Sequence, residues 1–145
     1  LDTAFSDLVP GKPDLYPTNL RPEIDALNPE IYDRLNNGVY KAGFASTQGA
    51  YDEAVAGVFS MLDRLEDRLI APFLFGDSIT ETDLRLFVTL IRFDAAYHGL
   101  FKTNHKRIAD YPRLLPIWSA CYACRACARR WIWTISRRGI IRSRR

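Results

Sequence analysis

The strongest pattern in the 145-residue sequence is an apolar stripe between positions 51 and 69. Apolar side chains recur there at alternating intervals of four and three residues, at Tyr51, Val55, Val58, Leu62, Leu65 and Leu69. A 3.6-residue period puts all of them on one helical face, which must be buried against other elements. The stripe covers barely three heptads, so we predict a bundle helix, not a coiled coil, beginning near Ser46 and Thr47.

A second helical pattern starts at Leu20 and carries apolar residues three and four positions apart, at Ile24, Leu27, Ile31 and Leu35. Pro29 interrupts this run and removes a backbone donor, so we predict a kink or a restart with Asn28 as the cap. The sequence Asn-Asn-Gly at positions 36–38 predicts a helix end, since these residues tolerate left-handed backbone geometry.

A capping motif marks the start of a third helix. Thr80 and Asp83 have the spacing of a capping box, and Ile79 and Leu84 have that of a hydrophobic staple. The helix that follows is predicted to turn four side chains inward, those of Leu84, Phe87, Leu90 and Ile91. The segment DYPRLLPIW, at positions 110–118, predicts the start of one more helix.

These segments predict an all-α helical bundle, because no segment alternates as a strand would. We expect an irregular lead-in at 1–19, which holds three prolines and a glycine, and a helical domain at 20–115. The remaining residues, 116–145, form a basic tail. Since the chain starts at Leu1 instead of Met, with no recognisable signal peptide, we expect part of the protein to precede it.

Charge divides the chain at the same place. Residues 1–115 carry 12 Lys and Arg against 17 Asp and Glu, whereas residues 116–145 carry 8 Arg and no acid. A basic tail with interleaved tryptophans is compatible with binding to nucleic acid or to an anionic membrane. No apolar run reaches the roughly 18 residues that a membrane-spanning helix needs.

The three cysteines, Cys121, Cys124 and Cys127, lie in the tail with C-x-x-C-x-x-C spacing. Zinc and iron–sulfur sites normally need a fourth ligand, and no Cys or His follows. We therefore predict no metal site.

Two tyrosines are the candidate site residues, because each lies at or near a predicted helix end where a phenol can face a cleft. They are Tyr40 in NNGVYKAGF and Tyr97 in RFDAAYHG. Patterning alone also fits buried structural tyrosines at both positions.

Two long segments of the chain resemble the C-terminal domain of glutathionyl-hydroquinone reductases, a class of glutathione transferases. They are DLYPTNLRPEIDALNPEIYDRLNNGVYKAGFASTQGAYDEA at 14–54 and LRLFVTLIRFDAAYHGLFKTNHKRIADYPRL at 84–114. The resemblance runs from about Asp14 to Leu115 and includes the motifs NNGVYKAGFA and RFDAAYH, which are similar to signatures of the class.

The resemblance implies a two-domain enzyme in which a preceding thioredoxin-like domain holds glutathione and a nucleophilic Cys in a Cys-Pro-Trp motif. It implies that the fragment alone is inactive. The tyrosine matching Tyr40 exchanges a proton with the quinol ring, and the one matching Tyr97 lines the pocket and supports the thiolate. Thr103 stands where the family usually has Cys, which implies a modest change in the pocket.

The resemblance also implies a glutathionyl-hydroquinone substrate, with glutathione as co-substrate. We expect a cytoplasmic protein that is a homodimer when full length and that binds neither nucleic acid nor a membrane.

The tail departs from the family, whose C-terminus resembles V-D-M-D-H-I-K. Trp131 and Trp133 are encoded by TGG, Ile132 begins with AT and Thr134 with AC. The neighbouring reading frame therefore contains GAT and GAC, two aspartates separated by one residue as in the family. We interpret 116–145 as an out-of-frame translation of the family's own C-terminus.

Two other functions fit the residues. One is a non-catalytic helical interaction module whose basic tail binds nucleic acid or membrane, which requires the tail to be genuine. The other is a transferase-like scaffold used only for dimerisation or partner binding.

Overall fold

The computed structural model describes residues 14–117, and within this range the chain is helical with one isolated β-bridge between Phe73 and Gly76. The α-helices are α1 (Arg21–Glu30), α2 (Gly38–Gly43), α3 (Gln48–Arg68), α4 (Glu81–Arg92) and α5 (His98–Leu100). Two π-helical segments, Ile31–Asn36 and Phe93–Tyr97, follow α1 and α4, and a 3₁₀ turn spans Ile108–Asp110. The all-α prediction is confirmed. Most of the predicted lead-in (1–13) and most of the tail (118–145), with its cysteines, lie outside the described residues.

Helix α3 is the central element, as the apolar stripe predicts. Five of the six stripe residues are buried, and Tyr51 is half-buried against the same core. The helix begins where predicted, since Thr47 is its N-cap and the Thr47 hydroxyl accepts from the Ala50 N–H at 3.2 Å. Within 14–117, no helix is both long and apolar enough to cross a membrane.

The predicted restart at Pro29 is wrong. Pro29 lies inside α1, and the chain continues directly into the first π-helical segment. Asn28 is a buried residue within the helix, not a cap, and its side-chain amide donates to Glu81 Oε1 at 2.6 Å. The Asn28 side chain therefore ties α1 to the beginning of α4.

The Asn-Asn-Gly sequence does mark a helix end, since the first π-helical segment ends at Asn36, but this end is not left-handed. Asn37 has right-handed backbone angles (φ −85°, ψ −27°), and α2 begins at the next residue. Gly38 allows α2 to pack closely against α3, because a Cβ at this position would lie 2.9 Å from Val58 Cγ2. The missing side chain lets α2 lie directly on α3.

The capping box at the start of α4 is confirmed. Asp83 is fully buried, and its carboxylate accepts from the Thr80 N–H at 2.8 Å and the Thr80 hydroxyl at 2.7 Å. The carboxylate also accepts from the Leu74 N–H at 2.9 Å, so it fixes the loop before the helix as well.

The inward face of α4 is rotated from the predicted one. Phe87 and Leu90 are buried as expected, but Leu84 and Ile91 are only half-buried. Leu86, which the prediction omits, is fully buried.

The predicted last helix begins at Leu114 and is described as far as Ile117, and both of these residues are fully buried. The Glu66 carboxylate on α3 accepts from the backbone N–H groups of Arg113 and Leu114, both at 2.8 Å. A carboxylate from α3 thus caps this helix, because the first N–H groups of a helix have no partner within it.

Candidate functional site

The structure brings the two predicted site residues together. Tyr40 lies in α2 and Tyr97 ends the second π-helical segment, 57 positions later, yet their hydroxyl oxygens are 3.0 Å apart. The two rings meet edge to face, with centroids 5.6 Å apart. A hydrogen bond therefore joins the two phenols.

The two phenols differ in their access to solvent. Tyr40 is 43% exposed, whereas Tyr97 is 5% exposed and lies behind it. Burial, the hydrogen bond with Tyr40 and the proximity of that phenol raise the pKa of Tyr97 to about 12, against a lowering by Arg92. Tyr97 therefore keeps its proton at neutral pH and is able to donate it to the Tyr40 oxygen.

Two phenylalanines complete an aromatic cluster around the pair. The Phe101 ring stacks on Tyr97 and meets Tyr40 at an edge, both at 5.5 Å between centroids. Phe44 lies 5.4 Å from Phe101 and is 76% exposed. Gly43 makes room for this packing, because a Cβ there would lie 2.4 Å from Phe101 Cγ.

Neither phenylalanine is among the site residues predicted from the sequence, although their spacing gives a signal. Phe44 follows Tyr40 by four positions, and Phe101 follows Tyr97 by four. Residues four apart on a helix are neighbours, so this spacing places an aromatic side chain beside each tyrosine, one turn later.

Thr103 is fully buried and its hydroxyl has no hydrogen-bond partner among the described residues. Its backbone N–H donates to the Tyr97 carbonyl at 3.3 Å. Thr103 thus bonds to the main chain of Tyr97.

Two clefts lie near the pair, but neither Tyr40 nor Tyr97 lines them. A groove of about 520 Å³ lies between the first π-helical segment, α2 and α3, and a cleft of about 440 Å³ lies between the start of α3 and the 100–104 turn. Residues 14–117 contain no cysteine and no cluster of three His, Cys, Asp or Glu side chains able to hold a metal ion. In the Tyr40–Tyr97 pair, a buried phenol is hydrogen-bonded to an exposed one. This arrangement is suited to proton transfer at an aromatic surface.

The raised pKa of Tyr97 predicts a loss of stability in alkali. Tyr97 holds its proton more tightly in the folded chain than at the ordinary pKa of 10.0. Its contribution to the free energy of unfolding is therefore complete below pH 10 and is lost as the pH rises through about 12. Urea denaturation of the wild type and of Tyr97→Phe across this range measures the effect.

The comparison with Tyr97→Phe is needed because burial also raises the pKa of Tyr111. We expect the wild type to lose more stability than the variant between pH 10 and 12. Equal losses in the two proteins would show that Tyr97 has no raised pKa.

Residues 48–116 match the family described as the glutathione S-transferase C-terminal domain. Glutathionyl-hydroquinone reductase PcpF from Sphingobium chlorophenolicum is 56% identical over 117 residues, which cover 79% of this chain and 37% of that protein. Glutathionyl-hydroquinone reductase YqjG from Escherichia coli (strain K12) is 53% identical over 114 residues, covering 78% of this chain and 35% of that protein. The chain thus spans little more than a third of the length of these relatives.

Comparison with solved structures also gives glutathione transferases. Glutathione-bound YqjG, a glutathione transferase homolog from Escherichia coli K-12, has a TM-score of 0.85 at 48% identity, covering 88% of this chain and 42% of that one. Glutathione transferase Xi 1 from Trametes versicolor has a TM-score of 0.84 at 47% identity, covering 88% and 46%. The chain belongs to the glutathione transferase family, whose C-terminal helical domain it carries.

Proposed function

We propose that this chain is the substrate-side domain of a glutathione-dependent reductase that releases hydroquinones from glutathionyl-hydroquinones. The observation that carries the proposal is the 3.0 Å contact between the hydroxyls of the exposed Tyr40 and the buried Tyr97. Two relatives at more than half identity are named for this activity, which supports the substrate class.

The chemistry needs a thiolate and a proton. In the proposed first step a cysteine thiolate of a thioredoxin-like domain attacks the glutathione sulfur, and the bond between sulfur and the ring carbon breaks. That carbon gains a proton, the hydroquinone leaves, and the cysteine remains as a mixed disulfide with glutathione. A second glutathione thiolate then displaces the cysteine and leaves as oxidised glutathione.

The tyrosine pair supplies the proton transfer in this scheme. Tyr40 faces the substrate and exchanges a proton with the quinol ring, since it is the more exposed phenol. Tyr97 lies behind it and stabilises negative charge on the Tyr40 oxygen through their hydrogen bond. Phe44 and Phe101 flank the pair and offer apolar surface to an aromatic ring.

The wider setting follows from the same proposal. We place the enzyme in the cytoplasm as a homodimer, with glutathione bound mainly by the thioredoxin-like domain and no nucleic-acid or membrane partner. Residues 116–145 are proposed to be an out-of-frame segment, because the neighbouring reading frame at 131–134 contains the two aspartates of the family.

The test compares the 145-residue chain with a completed enzyme. The completed enzyme consists of residues 1–115 joined to the parts of the Escherichia coli relative that its match to this chain leaves uncovered. We expect those parts to supply the thioredoxin-like domain and the C-terminal segment. We expect no glutathionyl-hydroquinone turnover by the chain above the uncatalysed rate, because residues 1–115 contain no cysteine. The completed enzyme should turn over this substrate.

Turnover by the purified chain would contradict the need for a second domain. A completed enzyme that binds glutathione but leaves the substrate intact would contradict the substrate-side role.

A further inference from the structure

The turn that follows Phe101 has an unfavourable backbone. Lys102 adopts φ +59°, the only residue other than glycine with positive φ among the described residues. This left-handed conformation crowds the Cβ of any residue but glycine, so surrounding contacts have to hold it in place.

Tyr51 supplies such a contact. Its hydroxyl, from the first turn of α3, donates to the Lys102 carbonyl at 2.6 Å. The same carbonyl accepts from the Asn104 N–H at 2.8 Å, a bond within the turn itself. Of these two hydrogen bonds to the Lys102 carbonyl, only the one from Tyr51 connects the turn to another helix.

The turn is also bonded to the site. The backbone N–H groups on either side of Lys102, those of Phe101 and Thr103, donate to the same Tyr97 carbonyl at 3.1 and 3.3 Å. The turn thus holds the Phe101 ring in contact with both Tyr40 and Tyr97.

We infer that Tyr51 is a positioning residue for the tyrosine pair, acting through the Lys102 turn and the Phe101 ring. The inference rests on the proposed function, because it assigns Tyr51 to the same two phenols. Loss of the Tyr51 hydroxyl should let the turn relax, move Phe101 from Tyr97 and expose the Tyr97 ring. The Tyr51 ring would still pack against the core in Tyr51→Phe.

The experiment measures Tyr97 exposure directly in the 145-residue chain, without substrate. Tetranitromethane nitrates accessible tyrosines, and peptide mass spectrometry gives the nitration rate of Tyr97. Tyr32, which is 55% exposed and lies outside the aromatic cluster, is the internal reference. We expect Tyr51→Phe to raise the Tyr97 rate about five- to tenfold, the factor that corresponds to one ordinary hydrogen bond. Tyr16→Phe is the matched control, since it removes a phenol hydroxyl that bonds to Asp25 on α1 and not to the turn.

A second variant tests whether Tyr51 acts through the Lys102 turn. Glycine adopts positive φ without steric crowding, so a glycine at position 102 needs less support from Tyr51. The effect of Tyr51→Phe on Tyr97 nitration should therefore shrink when it is combined with Lys102→Gly.

Three results would overturn the inference. They are an unchanged Tyr97 rate in Tyr51→Phe, an equal rise for the buried Tyr111, which would indicate general loosening, and an undiminished effect in the Lys102→Gly background. Nitration does not involve catalysis, so none of these three results would bear on the proposed reaction. Conversely, an inactive completed enzyme would not change the predicted nitration rates.

Discussion

Replacing Tyr40 by phenylalanine in the completed enzyme is expected to slow hydroquinone release about 10²–10⁴-fold, the usual contribution of a general acid or base. The ring would still meet Phe101 and Tyr97 at its edges, so the aromatic cluster would persist. Only the hydroxyl that bonds to Tyr97 would be lost. Steady-state rates across the pH range, together with a denaturation curve showing an intact fold, measure the effect.

The matched control is Tyr32→Phe. Tyr32 lies in the adjoining π-helical segment and is 55% exposed, but it makes none of the contacts of the Tyr40 cluster. We expect this variant to keep the parent rate. If Tyr40→Phe also kept the parent rate at every pH, Tyr40 would be a structural residue and not a proton-transfer group.

The largest effect on stability is expected at Asp83. Asp83→Ala removes the carboxylate of the α4 capping box and leaves the buried N–H groups of Thr80 and Leu74 without their acceptor. Loss of a helix cap lowers the free energy of unfolding by about 0.5–2 kcal/mol. A buried donor left without its acceptor costs about 1–3 kcal/mol more, so we expect a total loss of about 1.5–5 kcal/mol. Urea denaturation of the 145-residue chain measures this loss.

Asp67→Ala is the control, since Asp67 is an exposed acid on α3 and exposed substitutions usually change stability by less than about 0.5 kcal/mol. If the free energy of unfolding of Asp83→Ala were within about 1 kcal/mol of the wild-type value, the capping carboxylate would contribute little to stability.

The local signals in the sequence predicted local structure well. The Thr80–Asp83 capping box and the α3 stripe are confirmed because each depends on residues within one helix or its first turn. Residues whose partners are distant in sequence were predicted less well. Asn28 was expected to cap a helix, but its amide bonds to Glu81, 53 positions away.

The candidate site shows the same division. Motif resemblance identified Tyr40 and Tyr97 separately, but no pattern in the sequence gives the contact between their hydroxyls across 57 positions. That contact depends on how α2 and the second π-helical segment pack in the bundle. Gly43 illustrates the point, because its lack of a side chain makes room for Phe101, a residue that no local signal connects with it.

The two chemical steps of the completed enzyme offer the most direct test of the account. Rapid mixing with glutathionyl-hydroquinone, without free glutathione, isolates the first step, in which one hydroquinone is released for each active-site thiol. Adding glutathione to the mixed disulfide isolates the second step, which involves only sulfur chemistry. We predict that Tyr40→Phe slows the first step about 10²–10⁴-fold and leaves the second unchanged, since only the first moves a proton at the quinol ring. An unchanged first step, or equal slowing of both steps, would contradict the assignment of the Tyr40–Tyr97 pair to the substrate.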